Sequence, residues 1–179
     1  MRKVIASLFV SLDGVMESPE KWHLPYFNDE MEAAIGQAMA DADAFLLGRV
    51  GYQEWAEYWP SADGEFAEYM NKTPKYVVST TLDEVESENS TLLGDVSTEV
   101  PKLKQQPGKN ITISGSATLV RSLVDEGLLD ELRLMVHPIV VRSGRRLFED
   151  GGGQVALQLV DSNTFATGVV DLTHRRAEG

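Results

Sequence analysis

The chain has 179 residues, 42% hydrophobic and 25% charged, a globular composition that excludes a disordered segment lacking the apolar area to offset chain entropy. The length fits one domain over residues 1–179, and the absence of cysteine excludes a disulfide framework, a thiolate metal site and a cysteine nucleophile. A net charge of −12 repels a polyphosphate backbone, so no nucleic-acid partner is expected.

The acid is uneven. Residues 1–100 carry 19 acidic and 6 basic residues, whereas residues 101–179 carry 9 acidic and 10 basic, seven of them arginine. The apolar stretch 4–12 follows Arg2-Lys3 in the manner of a secretion signal. It contains Ser7 and Ser11, however, and runs into Asp13-Gly14 with no small-residue cleavage site. No apolar run approaches the ~20 residues of a membrane helix. A soluble, cytoplasmic protein without a membrane partner is the expectation.

Residues 4–12 read as a buried strand ended by the turn pair Asp13-Gly14, and 15–28 as an ordered loop. Met31, Ala34, Ile35, Ala38, Met39 and Ala42 repeat at helical spacing behind a cap at Asn28 or Asp29, with Glu32 placed for a capping box. Residues 44–47 form a second strand. Tyr52, Trp55, Ala56 and Trp59 mark a short helix stopped by Pro60. Strands follow at 76–79 and 90–93, then a helix over 97–106 that tolerates Pro101 in its first turn and breaks at Pro107-Gly108.

A strand at 111–114 passes through Gly115 into a helix that buries Leu119, Val120, Leu123 and Val124 and stops at Gly127. Residues 132–141 read as a long strand whose Pro138 calls for an edge or a bulge. Residues 155–160 and 168–173 pair as a final antiparallel hairpin. Strands separated by helices give right-handed crossovers and a parallel sheet, so the expected class is α/β with antiparallel strands at the tail.

Chemistry concentrates at strand ends. Ser114-Gly115-Ser116 leads straight from a strand into a helix, the arrangement that offers free N–H groups and a positive helix end to a phosphate. It is equally an ordinary turn with Ser116 as N-cap. Gly48-Arg49 ends another strand where open sheets bind ligands, unless Arg49 pairs with Glu54 or Glu57. Ser79-Thr80-Thr81 closes a third strand with three hydroxyls, either a phosphate seat or a turn, and 143–146 is an anion site or a solvated bend. His23, His137 and His174 lie far apart without ligand spacing, so no metal site is expected, and no hydrolase elbow or phosphate-binding lysine loop is present.

Five motifs occur in a family order: Ser-Leu-Asp-Gly at 11–14, Leu-Gly-Arg-x-x-Tyr at 47–52, Val-Val-Ser-x-Thr at 77–81, Ile-Ser-Gly-Ser-Ala-Thr-Leu at 113–119, and Gly-Leu-Leu-Asp-Glu-Leu through Gly-Arg-Arg-Leu-Phe at 127–148. Over nearly its whole length the chain resembles stand-alone dihydrofolate-reductase-like proteins related to the reductase domain of bifunctional riboflavin-biosynthesis deaminase–reductases. The resemblance implies a mostly parallel sheet of about eight strands, helices on both faces, and NADPH across the strand ends. It assigns the cofactor to Gly48, Arg49 and Tyr52, to the turn of Ser79, Thr80 and Thr81 under the 2′-phosphate, and to Ser114, Gly115, Ser116, Ala117 and Thr118. Asp13 falls on the substrate-side loop and is the candidate proton-side group, ahead of His23, Asp29 and Glu30. Trp22, Phe27 and Trp55 are the further candidates for substrate contact.

The chain departs from the pattern in three places. Phe27 stands where true dihydrofolate reductases carry a catalytic carboxylate, which argues against folate reduction. Ser114 replaces the first of a glycine pair, and Thr80 replaces an arginine, which leaves NADH open beside NADPH. The expected activity is hydride transfer from NADPH to a small pteridine- or pyrimidine-like heterocycle or a carbonyl compound. The alternative is a dinucleotide-binding module that catalyses nothing and serves as a sensor or partner protein. Relatives of this kind are often homodimers, so self-association is a further expectation.

Overall fold

In the computed structural model, which describes residues 1–177, β1 (Val4–Ser11) runs through the middle of the sheet. Val4, Ala6, Leu8 and Val10 alternate onto one buried face, the period-two pattern of a strand packed beneath helices. The remaining strands are β2 (Ala42–Gly48), β3 (Lys75–Val78), β4 (Ser90–Leu93), β5 (Asn110–Ile113), β6 (Glu131–His137), β7 (Leu157–Thr164) and β8 (Val170–Arg176). They form one eight-stranded sheet in the order β4-β3-β2-β5-β1-β6-β8-β7. The first six in that order are parallel, and β8 and β7 are antiparallel additions. The α/β class and the antiparallel tail expected from the sequence are both present.

The helices are α1 (Asp29–Ala40), α2 (Arg49–Tyr58), α3 (Glu65–Lys72), α4 (Val96–Gln105) and α5 (Ala117–Asp125). One face of the sheet packs β1, β5 and β6 against Val100 and Leu103 of α4 and Leu119, Val120 and Leu123 of α5. Elsewhere Phe45, Leu47 and Val77 meet Tyr52 of α2 and Met70 of α3, and Met31 of α1 packs on Met135, Phe165 and Val169. The end of α5 closes with Leu128 N–H donating to Leu123 C=O (2.8 Å) and Gly127 N–H to Val124 C=O (3.2 Å), the paired bonds that satisfy orphan carbonyls. At α1 the cap is Asn28, whose side chain accepts from Met31 N–H.

Four expectations are corrected. The strand expected over 132–141 stops at His137, and Pro138 lies beyond its end rather than at an edge or bulge. β6 sits between β1 and β8, where every N–H is wanted by a neighbour, so a proline ends the ladder there. The helix expected from 97 begins at Val96 because Asp95 caps it, accepting from Thr98 N–H; Pro101 therefore falls in the second turn, where its ring leaves the Ser97 carbonyl without its helical donor. The final hairpin lies two to four residues later than the apolar runs suggested. Helix α3 was not anticipated: at eight residues it shows only Ala67 and Met70 as buried positions, too few to mark a period.

Candidate active site

The carboxyl ends of β2 and β5 lie side by side, and each strand passes directly into a helix. Gly48 is the N-cap of α2 and Ser116 the N-cap of α5. The two turns touch: a Cβ on Gly48 would sit 2.8 Å from Ser116 Oγ, closer than a side chain is tolerated. Gly115 has φ 147°, a conformation that favours glycine, and nothing lies within 4 Å of where its Cβ would be. The backbone there is open to a ligand.

Two helix amino ends therefore aim at one place. The first N–H groups of a helix have no partner within it, and α2 has no side-chain cap at all. In α5 the Ser116 hydroxyl accepts from Leu119 N–H at 3.3 Å, leaving the N–H groups of Ala117 and Thr118 available. Arg49, first residue of α2, is exposed. Among the described residues it forms no ion pair, so the pairing with Glu54 or Glu57 weighed from the sequence is not made. Positive helix ends and a free guanidinium together make an anion site.

These turns open onto a cleft of about 1020 Å³, at the upper end of the volumes that hold small ligands and cofactors. Gly48, Arg49, Trp55, Ser114, Gly115, Ser116, Ala117 and Thr118 all line it. Motifs 47–52 and 113–119 thus meet at one cleft, although sixty residues part them. The cleft also takes in Arg145 from the loop at 143–146, and Phe9 and Glu17 from β1 and the loop behind it.

Other candidates stand behind the lining. Tyr52 is buried, and its hydroxyl oxygen accepts from the N–H groups of Glu86 (2.9 Å) and Ser87 (3.0 Å), fastening the segment after β3 to α2. Ser79 Oγ accepts from Thr81 and Leu82 N–H, closing its own turn, while Thr80 and Thr81 are exposed just beyond Val78 on the cleft wall. Trp22 is buried and donates to Glu17 C=O (3.1 Å); Phe27 lies exposed, edge-on to His23. None of these six lines the cleft.

Asp13 also lies off the cleft. Its carboxylate accepts from Ser11 Oγ (2.6 Å), Val141 N–H (3.0 Å) and Arg142 N–H (2.8 Å), tying the end of β1 to the loop after β6. The Ser11 hydroxyl first, and then those N–H groups, bring its pKa down to about 2. Such a carboxylate is an anchor held as an anion, not a store of protons. Glu30 is engaged too, accepting from Ala166 N–H and Asn28 Nδ2.

Two histidines that looked unrelated in sequence meet behind Phe9. His137 is fully buried at the end of β6, its Nδ1 2.9 Å from Met135 C=O and its Nε2 without a partner. The His23 ring stacks on Phe9 (4.7 Å between centroids) and lies 6.0 Å from His137. Burial lowers the pKa of both, and each is neutral at neutral pH.

Trp55 is the one sequence candidate for substrate contact that lines the cleft, and it belongs to an aromatic and thioether wall whose other members the sequence did not single out. Phe45 of β2, Trp55 of α2, Phe66, Tyr69 and Met70 of α3, and Met39 of α1 line it. Tyr69 Oη donates to Met39 C=O (3.2 Å), and the buried Lys75 ammonium donates to Asn71 and Thr73 C=O, holding α3 in place. The visible signal was the density of aromatic residues between 45 and 69; nothing local showed that they face one cavity.

The chain is similar to known proteins of one family and one fold. The RibD C-terminal domain family matches residues 2–170. The Bacillus subtilis protein YyaP is 30% identical, the match covering 97% of this chain and 94% of YyaP. A pyrimidine reductase-like protein from Corynebacterium diphtheriae superposes with a TM-score of 0.70 at 14% identity, covering 99% of this chain and 93% of that one. Dihydrofolate reductase from Enterococcus faecalis, complexed with NADP(H), superposes with a TM-score of 0.66 at 14% identity, over 98% and 97% of the two chains.

Proposed function

Because the chain belongs to the RibD C-terminal domain family, we propose that it is an NADPH-dependent reductase acting on a small heterocyclic or carbonyl substrate. The observation that carries the proposal is the convergence of two helix amino ends, the open backbone at Gly115 and the unpaired Arg49 on one cleft. Bound NADPH supplies the hydride.

The residues divide the remaining work. The N–H groups at the start of α2 and α5 hold the pyrophosphate, Arg49 adds a charge-assisted bond, and Gly115 lets the backbone approach. Ser79 and Thr81, with backbone N–H groups, face the 2′-phosphate, and Thr80 adds no charge there. The preference for NADPH over NADH is accordingly modest, about tenfold, and Thr80→Arg raises it. The protein orients hydride donor and acceptor across the cleft, and the proton that balances the transfer comes from solvent, since Asp13 is committed to its anchor.

Titration with NADPH and NADH, followed by a screen of acceptors for loss of reduced nicotinamide, tests the reading. Micromolar binding of NADPH with acceptor-dependent oxidation is expected. No response to either dinucleotide at millimolar concentration would overturn it. A second reading, a dinucleotide-binding module without turnover, is favoured by Phe27 in the carboxylate position and by the anchored Asp13; tight binding with no oxidation by any acceptor would select it.

A further inference from the structure

The cleft has a second arginine besides Arg49, and the sheet order separates the two. The parallel strands β2, β5, β1 and β6 lie in that sequence and end in Gly48-Arg49, in Ser114-Gly115-Ser116, in the loop 12–18 and in the loop 138–147. At about 4.8 Å between neighbouring strands, the end of β1 stands about 10 Å from that of β2, with the start of α5 between them. Arg145 is held on the β1 side. Its C=O accepts from Met16 N–H (2.9 Å), and its N–H donates to a Glu17 carboxylate oxygen (2.7 Å). Gly144 permits that docking: its φ is 116°, and an ideal Cβ there would lie 3.0 Å from Val15 Cγ1. Arg121 Nη1 donates to Leu147 C=O (3.3 Å), fastening the same loop to α5.

The neighbouring arginine side chains are engaged in the framework. Arg146 Nε donates to Asp13 C=O (3.0 Å), and Arg121 pairs with Glu149 (3.3 Å). Arg145 lines the cleft, and among the described residues its guanidinium forms no ion pair. Glu17 bonds to its backbone N–H, which fixes the loop and leaves the charged head free. The other charged residues lining the cleft are Glu17, Glu20, Arg49 and Glu54, so Arg145 is the one base there on the β1 side. On the premise that the dinucleotide occupies the glycine turns, the hydride acceptor lies toward β1, where Phe9 and Ile35 and Ala38 of α1 line the cleft. We infer that Arg145 is the residue that selects the acceptor, by binding a carboxylate or phosphate group that it carries. A planar guanidinium meets either group through two parallel N–H bonds. The loop at 143–146 is then an anion site and not a solvated bend. With Glu17 and Glu20 beside it, the preference for an anion rests on this one side chain.

Three matched non-reacting probes test this: 2-naphthoate, 2-naphthyl phosphate and the neutral 2-naphthamide, titrated calorimetrically into the full-length protein saturated with NADP⁺. At least one anion is expected to bind about tenfold or more tightly than the amide, and the comparison of the two anions tells a carboxylate site from a phosphate site. Arg145→Ala should reverse the preference, since Glu17 and Glu20 then face the anion alone. Arg145→Lys should keep part of it. Neither variant should move the NADP⁺ dissociation constant or the melting temperature, because the side chain forms no ion pair. An amide bound as tightly as both anions, no detectable binding of either anion, or an anion preference that survives Arg145→Ala would each overturn the inference. So would an equal loss of NADP⁺ affinity in Arg145→Ala, which would put this guanidinium on the dinucleotide. Failure of NADP⁺ to bind at all would instead overturn the reductase reading. The same titrations comparing Arg49→Ala with the Arg49→Ala, Arg145→Ala double variant would then still decide the role of Arg145.

Discussion

The two sides of the cleft are built on different principles. The glycine side is made of backbone: two turns in contact, Gly48 against Ser116, with N–H groups and one guanidinium facing the cavity. The aromatic side is made of side chains from β2, α1, α2 and α3, held by Tyr69 and Lys75 bonding to backbone carbonyls. The first side is suited to an anion held at a fixed position. The second is suited to apolar contact, where shape decides. A common hydride donor and a specialised acceptor would call for this division.

The comparison breaks most sharply at Gly48. Gly48→Val puts branched carbon where Ser116 Oγ lies 2.8 Å from the ideal Cβ, and should weaken dinucleotide binding about 1,000-fold, near 4 kcal/mol. Calorimetry with NADPH checks this. In the milder Gly48→Ala background, adding Ser116→Ala should restore part of the loss, since only the hydroxyl makes the close contact.

Arg49→Ala comes next. A charge-assisted bond to phosphate contributes roughly 1.5–3 kcal/mol, so NADPH binding should weaken by about 10- to 150-fold. With no ion pair to lose, the melting temperature should not move. An unchanged dissociation constant would remove Arg49 from the site.

Tyr52→Phe acts at one remove from the glycine side. It strips two backbone N–H groups of their acceptor, a loss of about 1–3 kcal/mol in stability. Freed from α2, the segment after β3 should discriminate less between NADPH and NADH. Denaturant unfolding and paired titrations measure the two effects.

The smallest effect concerns neither side. His23 and His137 both have pKa values lowered by burial, so the unfolded chain binds protons more readily than the folded one. Stability is therefore complete above the ordinary histidine value of 6.5 and declines as pH falls below it. His137→Gln should flatten that decline, seen as melting temperatures that change less between about pH 7 and 5 than in the parent.

How much of this was legible along the chain depended on distance in sequence. Ser114-Gly115-Ser116 and Gly48-Arg49 were readable because a strand, a turn and a helix start lie within a few residues, and turn chemistry is local. Ser79 closes its own turn on the N–H groups of residues 81 and 82, one of the two readings its hydroxyl-rich turn allowed. Tyr52 and Asp13 were readable as positions and not as roles: their oxygens bond to the N–H groups of residues 86 and 87 and of 141 and 142, and such partners follow from no periodicity. The long strand over 132–141 went wrong at Pro138 because apolar run length says nothing of which neighbours demand a donor.

By itself the sequence determined the alternation of strands and helices, the antiparallel tail, and the strand ends where a phosphate could be met, all from short-range patterns of apolar spacing and turn residues. Only the tertiary structure decided that Gly48 touches Ser116, that Arg49 forms no ion pair among the described residues, and that His23 lies 6.0 Å from His137. It alone gathered Phe45, Trp55, Phe66 and Tyr69 into one wall. The physical reason is the order of the sheet: placing β5 between β2 and β1 brings together residues far apart in the chain, and a buried aromatic ring looks the same in sequence whether it faces a core or a cleft.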